Sequence, residues 1–557
     1  MVEVSPAPTI DRLRSELHSR LGRDPADRWE ATVLLESWMG VRTADALRDG
    51  VQLAERCRES ERSGPAPRVA LITEGNYPYT FGGVSTWCDQ LVRGLPTHRF
   101  TVHSVTARRG NRSRWHLPPN VCAVTELPFW EQRPPDRRLR FARAVVSGQR
   151  PPGAVAVDAV GVVQRLLTLL VSAELDERGV DEVFDHLLDC AASGELAAAF
   201  RSPQAFRWLC ELWADSEPRP TMADVGTSLD LLEHFLRPVA CELPDADVYH
   251  AVSNGFAGLV ALAAARRRPG PVVLSEHGVY LRERYLEHLD GSLTLPVRTL
   301  VLRFHRLLNN VVYRRADVLV PVSQYNRRWE LHSGVESERI EVIYNGVDIR
   351  RFPVGPPRRR DHAPVLGFIG RIDRIKDPLT LIRAAGLLVE ELPRLRVRMW
   401  GEVMAGQDDY DEECRAEVAR LGLADVVTFE GRTSNPVDAY HAADVVVICS
   451  ISEGLPYGVI EAMATGSAVV ATDVGGISEA LGGTGVLVPP RSPELLAAAC
   501  SHLISRPVHR AELGAAARRR AEELFGVERM IVAYRDLYAS IVVGERVRWG
   551  AGKAGAP

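Results

Sequence analysis

The sequence predicts an α/β protein built from two doubly wound domains, with a helical insertion in the first and a helical extension ahead of it. Three observations carry this. A strand, glycine loop, helix and second strand follow one another from residue 68. Short apolar runs alternate cleanly with helical segments from residue 364 onward. Between about 151 and 243 the rhythm is lost and the pattern is almost all helical. A chain of 557 residues is also too long for one ordinary core and suits two large domains plus additions.

The elements follow in order. Apolar positions recur at helical spacing in 29–36 and 44–57, so 1–62 reads as a helical extension, and Ser63, Gly64, Pro65, Ala66 and Pro67 close it as a linker. The first domain spans 68–353, with strands at 68–73 and 100–106 and a helix over 84–94. In the insertion, 160–175, 182–192 and 229–236 have helical periodicity. Strand and helix then return: a strand at 247–251, a helix near 257–268, a strand at 272–276, a long helix around 296–315 and a strand at 318–322. A proline- and arginine-rich linker occupies 354–363. The second domain, 364–526, has strands at 365–369, 396–400, 426–429, 445–449, 468–472 and 485–488, and helices at 493–504 and 508–524. The apolar runs suggest strands buried on both faces, as in a parallel sheet covered by helices. A cross-over helix and tail fill 527–557.

Bulk properties exclude several classes. The net charge of −4 gives no overall pull toward nucleic acid or anionic membrane. Nine scattered cysteines without a CxxC pair read as reduced, buried thiols. The first ten residues lack a basic start followed by an apolar core, and no stretch approaches the roughly 20 apolar residues of a membrane span. The expectation is a cytoplasmic chain, with peripheral association with membrane-bound machinery left open.

Ligands of doubly wound domains bind at the carboxyl ends of the strands. After 365–369 comes Gly370-Arg371-Ile372-Asp373-Arg374-Ile375-Lys376-Asp377. Arg371 can hold a phosphate through two parallel hydrogen bonds and Lys376 adds a point charge, where a departing diphosphate gains negative charge. An ordinary polar loop is the alternative. After 445–449 come Glu453, Gly454, Leu455, Pro456 and Tyr457, then Glu461. Pro456 suits a helix start whose free N–H groups welcome a diphosphate, and Gly454 permits close approach. Glu453 can accept from sugar hydroxyls and Glu461, expected about two turns lower, from ribose hydroxyls. In the first domain Gly82, Gly83 and Val84 precede a helix, and either meet ligand or form a glycine turn. His277 ends a strand and touches the donor sugar or is a structural histidine. Tyr280, Arg282, Glu283 and Arg284 follow as an acceptor contact or a charged helix start. Asp245-Ala246-Asp247 and Asp409-Tyr410-Asp411 match a DxD pattern but read as structural or solvated, so no metal site is expected. Walker A, GxGxxG, GxSxG and HExxH patterns are missing.

Glu453 through Glu461 resembles the E-x7-E signature of family-4 glycosyltransferases of GT-B fold, as do the GRIDRIKD segment and Asn345-Gly346-Val347-Asp348, and the likeness covers about 68–540. Thr73 through Tyr79, Gly82 through Trp87, Tyr249 through Ser253, the EHGVYLRER run, Asp411 through Cys414 and Ser450 through Gly454 look like the PelF-type branch, which serves Pel exopolysaccharide synthesis. The helical insertion fits that branch; the extension 1–62 and Asp473 through Glu479 do not. The resemblance implies two domains facing across a cleft, a UDP-sugar donor with UDP-glucose favoured, and a glycan or other acceptor. It implies retention of configuration and no metal or other cofactor. Arg371 and Lys376 would bind diphosphate, Glu461 the ribose, Glu453 through Tyr457 the sugar and phosphates, and His277 would sit beside the donor sugar. A nucleotide-sugar epimerase and a catalytically silent nucleotide-binding scaffold are the alternatives.

Overall fold

Runs of β-branched residues form two six-stranded sheets with parallel pairing, each flanked by helices. The computed structural model describes residues 67–75, 77–130, 158–172, 177–288, 293–356, 362–403 and 406–543. The expected helical extension at 1–62, the first residues of the insertion at 151–157 and the centre of the linker at 357–361 lie outside the described residues.

The chain divides into two units. The first holds the described residues to Ser275, with Tyr280–Leu319 and 541–543; the second holds Glu276–Val279 and Val320–Ser540. In the first, β1 (Arg68–Glu74), α1 (Gly83–Gly94), β2 (Arg99–Thr106) and β3 (Val121–Pro128) precede the helical insertion. The insertion comprises α2 (Ala159–Val171), α3 (Glu177–Ser193), α4 (Leu196–Phe200), α5 (Pro203–Leu212) and α6 (Met222–Leu236). Then come β4 (Val248–Ala251), α7 (Phe256–Arg267), β5 (Val272–Glu276), α8 (Tyr280–Glu287), α9 (Leu295–Arg315) and β6 (Val318–Pro321). The strand order is β3-β2-β1-β4-β5-β6. Charge ties the insertion to the helices beside the sheet: Asp181, Asp185 and Asp189 of α3 pair with Arg266, Arg314 and Arg315.

β3 escapes the sequence pattern. It is an edge strand whose middle four residues are only partly buried, so it shows no continuous apolar run.

The second unit continues with α10 (Gln324–His332), β7 (Val365–Ile369), α11 (Pro378–Leu388), β8 (Arg396–Trp400), α12 (Asp408–Arg420) and β9 (Val427–Gly431). There follow α13 (Pro436–Ala442), β10 (Val445–Ile448), α14 (Tyr457–Ala464), β11 (Ala468–Thr472), α15 (Ile477–Leu481) and β12 (Val486–Val488). The chain ends in α16 (Pro493–Ile504), α17 (Pro507–Leu524) and α18 (Val527–Val543). The order β12-β11-β10-β7-β8-β9 repeats the first sheet's topology. Successive side chains serve opposite faces: Val445, Val447 and Cys449 join one core cluster, while Val446 and Ile448 join the other. Val322, Val347 and Phe352 also pack in that second cluster, which explains why the second unit starts ahead of the linker expected at 354–363.

No disulfide forms among the described residues, and Cys88, Cys190, Cys414, Cys449 and Cys500 are buried. No helix among the described residues is long and apolar enough to cross a membrane.

Asp444 ties the start of β7 to the base of β10. Its carboxylate, 1% exposed, accepts from the Val365 backbone N–H at 2.9 Å, from His362 at 2.8 Å and from Arg510 at 3.2 Å. Asp444→Ala strands these donors in a largely dry place and is expected to destabilise the second unit by about 3 kcal/mol. Denaturant unfolding followed by tryptophan fluorescence measures this; a loss below about 1 kcal/mol would count against the assigned role.

Candidate functional site

In a doubly wound sheet the crevice opens where strand order reverses. In the second unit that point lies between β7 and β10, which are adjacent and parallel. The loops leaving both strands therefore meet. The Ile451 N–H donates to the Ile375 carbonyl at 2.8 Å, and Cys449 Sγ donates to the Lys376 carbonyl at 3.3 Å.

On this frame the side chains converge. Lys376 Nζ donates to Glu453 Oε1 at 2.5 Å, joining groups 77 residues apart. Ser450 Oγ donates to the same oxygen at 2.6 Å. The Lys376 side chain is 22% exposed and that of Glu453 10%, so the pair is only partly screened by water. Asp373 organises the first loop. Its Oδ1 accepts the Lys376 backbone N–H at 2.8 Å, and its Oδ2 lies 3.0 Å from Arg371 Nε. Arg371 itself is exposed. The loop ends at Asp377, which adopts a left-handed φ of 46° and accepts from Thr380 Oγ1 at 2.6 Å and Tyr410 at 3.3 Å. Burial pushes the Asp377 carboxyl above its usual range.

The second loop packs backbone on backbone. A Cβ at Gly454 would collide with the His277 carbonyl, and one at Gly475 with the Glu453 carbonyl. Gly475 also has a φ of 62°, which only glycine adopts without strain. The Gly476 N–H donates to the Gly454 carbonyl at 2.7 Å, closing the stack. Helix α14 then starts after Pro456 with no side chain capping its first turn and no acidic residue there. A helix amino end carries the positive partial charge that favours an anion.

Glu461 lies about one turn into α14, which begins at Tyr457. Tyr440 donates to Glu461 Oε2 at 2.8 Å. Burial pushes the Glu461 carboxyl up, opposed by the Tyr440 bond and by Arg351. Leu455, expected at the donor, buries its side chain in the core; only its backbone belongs to the loop, with the carbonyl accepting from Asn345 Nδ2 at 2.8 Å. Asn345 also bonds to His277. Desolvation pushes the His277 imidazole down to about 4, outweighing that bond.

The second unit thus holds His277, Arg371, Lys376, Glu453, Gly454, Leu455, Pro456, Tyr457 and Glu461, and within it Lys376 meets Glu453 and His277 meets Gly454. The remaining expected residues stand in the first unit. Gly82 and Gly83 are exposed, Val84 is partly buried, and α1 starts there. Tyr280, expected on the acceptor side, is instead buried: its hydroxyl lies 2.8 Å from His305 Nδ1 and its ring supports Arg284, whose guanidinium carbon is 5.2 Å from the ring centroid. Arg284 pairs with Glu287 at 2.8 Å, while Arg282 and Glu283 are partly buried in α8. Each DxD aspartate is paired with an arginine: Asp245 with Arg268, Asp247 with Arg68, Asp409 with Arg374 and Asp411 with Arg415. Among the described residues no three His, Cys, Asp or Glu side chains gather as a metal site.

Asp373, Ser450 and Asn345, read only as parts of motifs, and Tyr440 are the contributors to which sequence reasoning gave no role. Asp373 was open to detection, since an Asp three residues before Lys376 suits a local turn. Tyr440 and Asn345 reach their partners across 21 and 110 residues.

Comparison with known proteins follows the same division. Residues 363–506 match the family described as glycosyl transferases group 1, and residues 67–338 match a domain of unknown function, DUF3492. The D-inositol 3-phosphate glycosyltransferase of Nocardiopsis dassonvillei is 34% identical over 323 residues, 55% of this chain and 73% of that protein. The enzyme of the same name from Kribbella flavida is 38% identical over 199 residues, 33% of this chain and 47% of its own length, so the chain spans about half of it. Among solved structures, sucrose-phosphate synthase from Thermosynechococcus elongatus superposes with a TM-score of 0.55 at 18% identity, covering 86% of this chain and 100% of that one. Anabaena HepE in complex with UDP and glucose gives 0.52 at 18% identity, covering 85% and 99%. At such identity the likeness is one of fold.

Two expectations follow from this geometry. Gly475→Ala is expected to lower both the melting temperature and ligand affinity, with a stability loss of about 1–3 kcal/mol from the left-handed backbone alone. An unchanged melting curve would show that the loop yields freely. His277 titrates low in the fold, so its neutral ring stabilises the protein above the ordinary histidine value of 6.5, and this contribution is lost as pH falls toward about 4. Wild type should therefore lose stability faster than His277→Gln between pH 7 and pH 5, as read by thermal unfolding; parallel losses would remove His277 from the account.

Proposed function

The chain belongs to the glycosyl transferases of group 1, with the GT-B fold, and from that premise we propose that it transfers a hexose from a UDP-sugar, UDP-glucose favoured, to a glycan or other acceptor. We further read it as a retaining, metal-independent enzyme of family 4, close to the PelF branch, serving exopolysaccharide or glycoconjugate synthesis. The observation that carries the reading is the meeting of Lys376 with Glu453 at the switch point of the second sheet, beside the uncapped amino end of α14.

The chemistry follows from where charge develops. As the bond from the sugar C1 to the phosphate oxygen breaks, the leaving diphosphate gains negative charge. Arg371, Lys376 and the N–H groups opening α14 supply fixed positive charge for it, the role a divalent metal fills elsewhere. The acceptor oxygen bonds to C1 on the face the phosphate leaves, and its proton passes to the leaving phosphate oxygen. Such a step needs no second carboxylate nucleophile. Glu453 accepts from sugar hydroxyls. Glu461, held by Tyr440, accepts from the ribose. His277 stays neutral near physiological pH and presents a hydrogen bond, not a charge, beside the sugar.

UDP release from a panel of nucleotide sugars tests donor and activity together. Wild type is expected to release UDP from UDP-glucose, and Lys376→Ala to be slower by about 100-fold or more, the scale for losing a fixed charge at a developing anion. Equal turnover by the variant would defeat the proposed role of Lys376. Interconversion of the sugar without transfer or hydrolysis would mark an epimerase.

A further inference from the structure

We propose that Ser450 is a positioning residue that keeps Glu453 aimed while Lys376 changes partner, from the Glu453 carboxylate to the diphosphate of the donor. The inference rests on the donor reading above and adds to it a coupling between phosphate binding and sugar recognition.

Three observations carry it. First, Glu453 Oε1 takes both donors, Lys376 Nζ at 2.5 Å and Ser450 Oγ at 2.6 Å. A lysine is a compact charge on a flexible stem, so its head can swing while its backbone stays put. That backbone is held by Asp373, which accepts the Lys376 N–H at 2.8 Å. A diphosphate carries more charge than one carboxylate and draws the ammonium away.

Second, Ser450 does not move with it. The residue is 1% exposed, its carbonyl accepts from Thr472 Oγ1 at 2.6 Å, and the next residue is stitched by the Ile451 N–H to the Ile375 carbonyl at 2.8 Å.

Third, the Glu453 backbone is pinned. Gly475 lies against its carbonyl, and Gly454 is bound through its own carbonyl to the Gly476 N–H. Once Lys376 has left, Ser450 keeps Oε1 occupied, and Oε2 faces the sugar with its lone pairs ready for a hydroxyl proton.

The arrangement makes Glu453 a competitor of the phosphate for Lys376. Free UDP must break the pair and recovers nothing at Glu453. A UDP-sugar breaks the same pair and repays Glu453 with a hydroxyl. The site therefore favours the intact donor over the nucleotide product.

The experiment measures UDP affinity by calorimetry and donor turnover by UDP release for wild type, Glu453→Gln, Ser450→Ala and Ser450→Thr, each checked by thermal melting. Glu453→Gln should bind UDP more tightly than wild type, by about tenfold, since Lys376 no longer has a charged rival. Ser450→Ala should bind UDP within about twofold of wild type yet lose about tenfold in kcat/KM for UDP-glucose, the scale of one hydrogen bond to a charged group. Ser450→Thr, which keeps the hydroxyl, should restore that loss. Unchanged or weaker UDP binding by Glu453→Gln would overturn the exchange of partners. A Ser450→Ala variant that weakens UDP and UDP-glucose alike would overturn the positioning role. Wild type that neither binds UDP nor releases it would instead bring down the donor reading, and the proposal with it.

Discussion

The adjacency of β7 and β10 is the constraint on which the site depends. These strands are distant in sequence, and only the reversal of strand order sets their carboxyl ends side by side. Without it Lys376 and Glu453 would sit on unrelated loops. With it, an ammonium and a carboxylate meet in a partly dry place where each needs a partner. Their bond satisfies both. Asp373 and Ser450 then divide the labour: Asp373 fixes the loop that carries the cations, and Ser450 fixes the acid.

Rigidity comes from close backbone packing more than from side chains. Gly454, Gly475 and Gly476 allow main chain to approach main chain around Glu453. A binding loop held this way presents its dipoles already oriented, and little reorganisation is needed as charge develops. The left-handed Asp377 does similar work on the other loop. It ends the cation-bearing segment abruptly and lets α11 start directly behind it, with Thr380 and Tyr410 holding its carboxylate.

Much of this was legible in the residues, and the boundary is physical. The strands Val365–Ile369, Arg396–Trp400, Val272–Glu276 and Ala468–Thr472 are read correctly to the residue, because mostly buried parallel strands leave short runs rich in apolar residues between polar loops. Val121–Pro128 was missed because an edge strand shares its middle with solvent. The cationic loop and the Glu453–Glu461 segment could be recognised from residue type and their place after strands. Which groups they touch could not. Tyr440 finds Glu461, and Asn345 finds Leu455, only through sheet register and helix packing that no local window contains. Tyr280 shows the converse: an aromatic beside three charged residues reads as an acceptor contact or a charged helix start, and its ring fills the space against Gly255 and His305.

The two sheets share a topology, so a preference of an anion for one of them has to come from something other than fold. The answer lies in how each treats the helix that follows its central switch-point strand. In the first unit Glu74, at the end of β1, accepts the N–H groups of Phe256 and Ala257 at 2.7 and 3.1 Å. The amino end of α7 is therefore already occupied by a carboxyl of the protein. Burial pushes that carboxyl up, while Arg284 and the two backbone bonds pull it down. In the second unit the equivalent helix, α14, has no side-chain cap, and the acid nearest its entry, Glu453, is turned to Lys376 and Ser450. Placing a second anion at α7 would set like charges together, whereas α14 has no carboxylate capping its positive amino end. A glutamate stands at the carboxyl end of β1 and none at the matching position of β7, so the two sheets differ in what they present to an anion at the switch point.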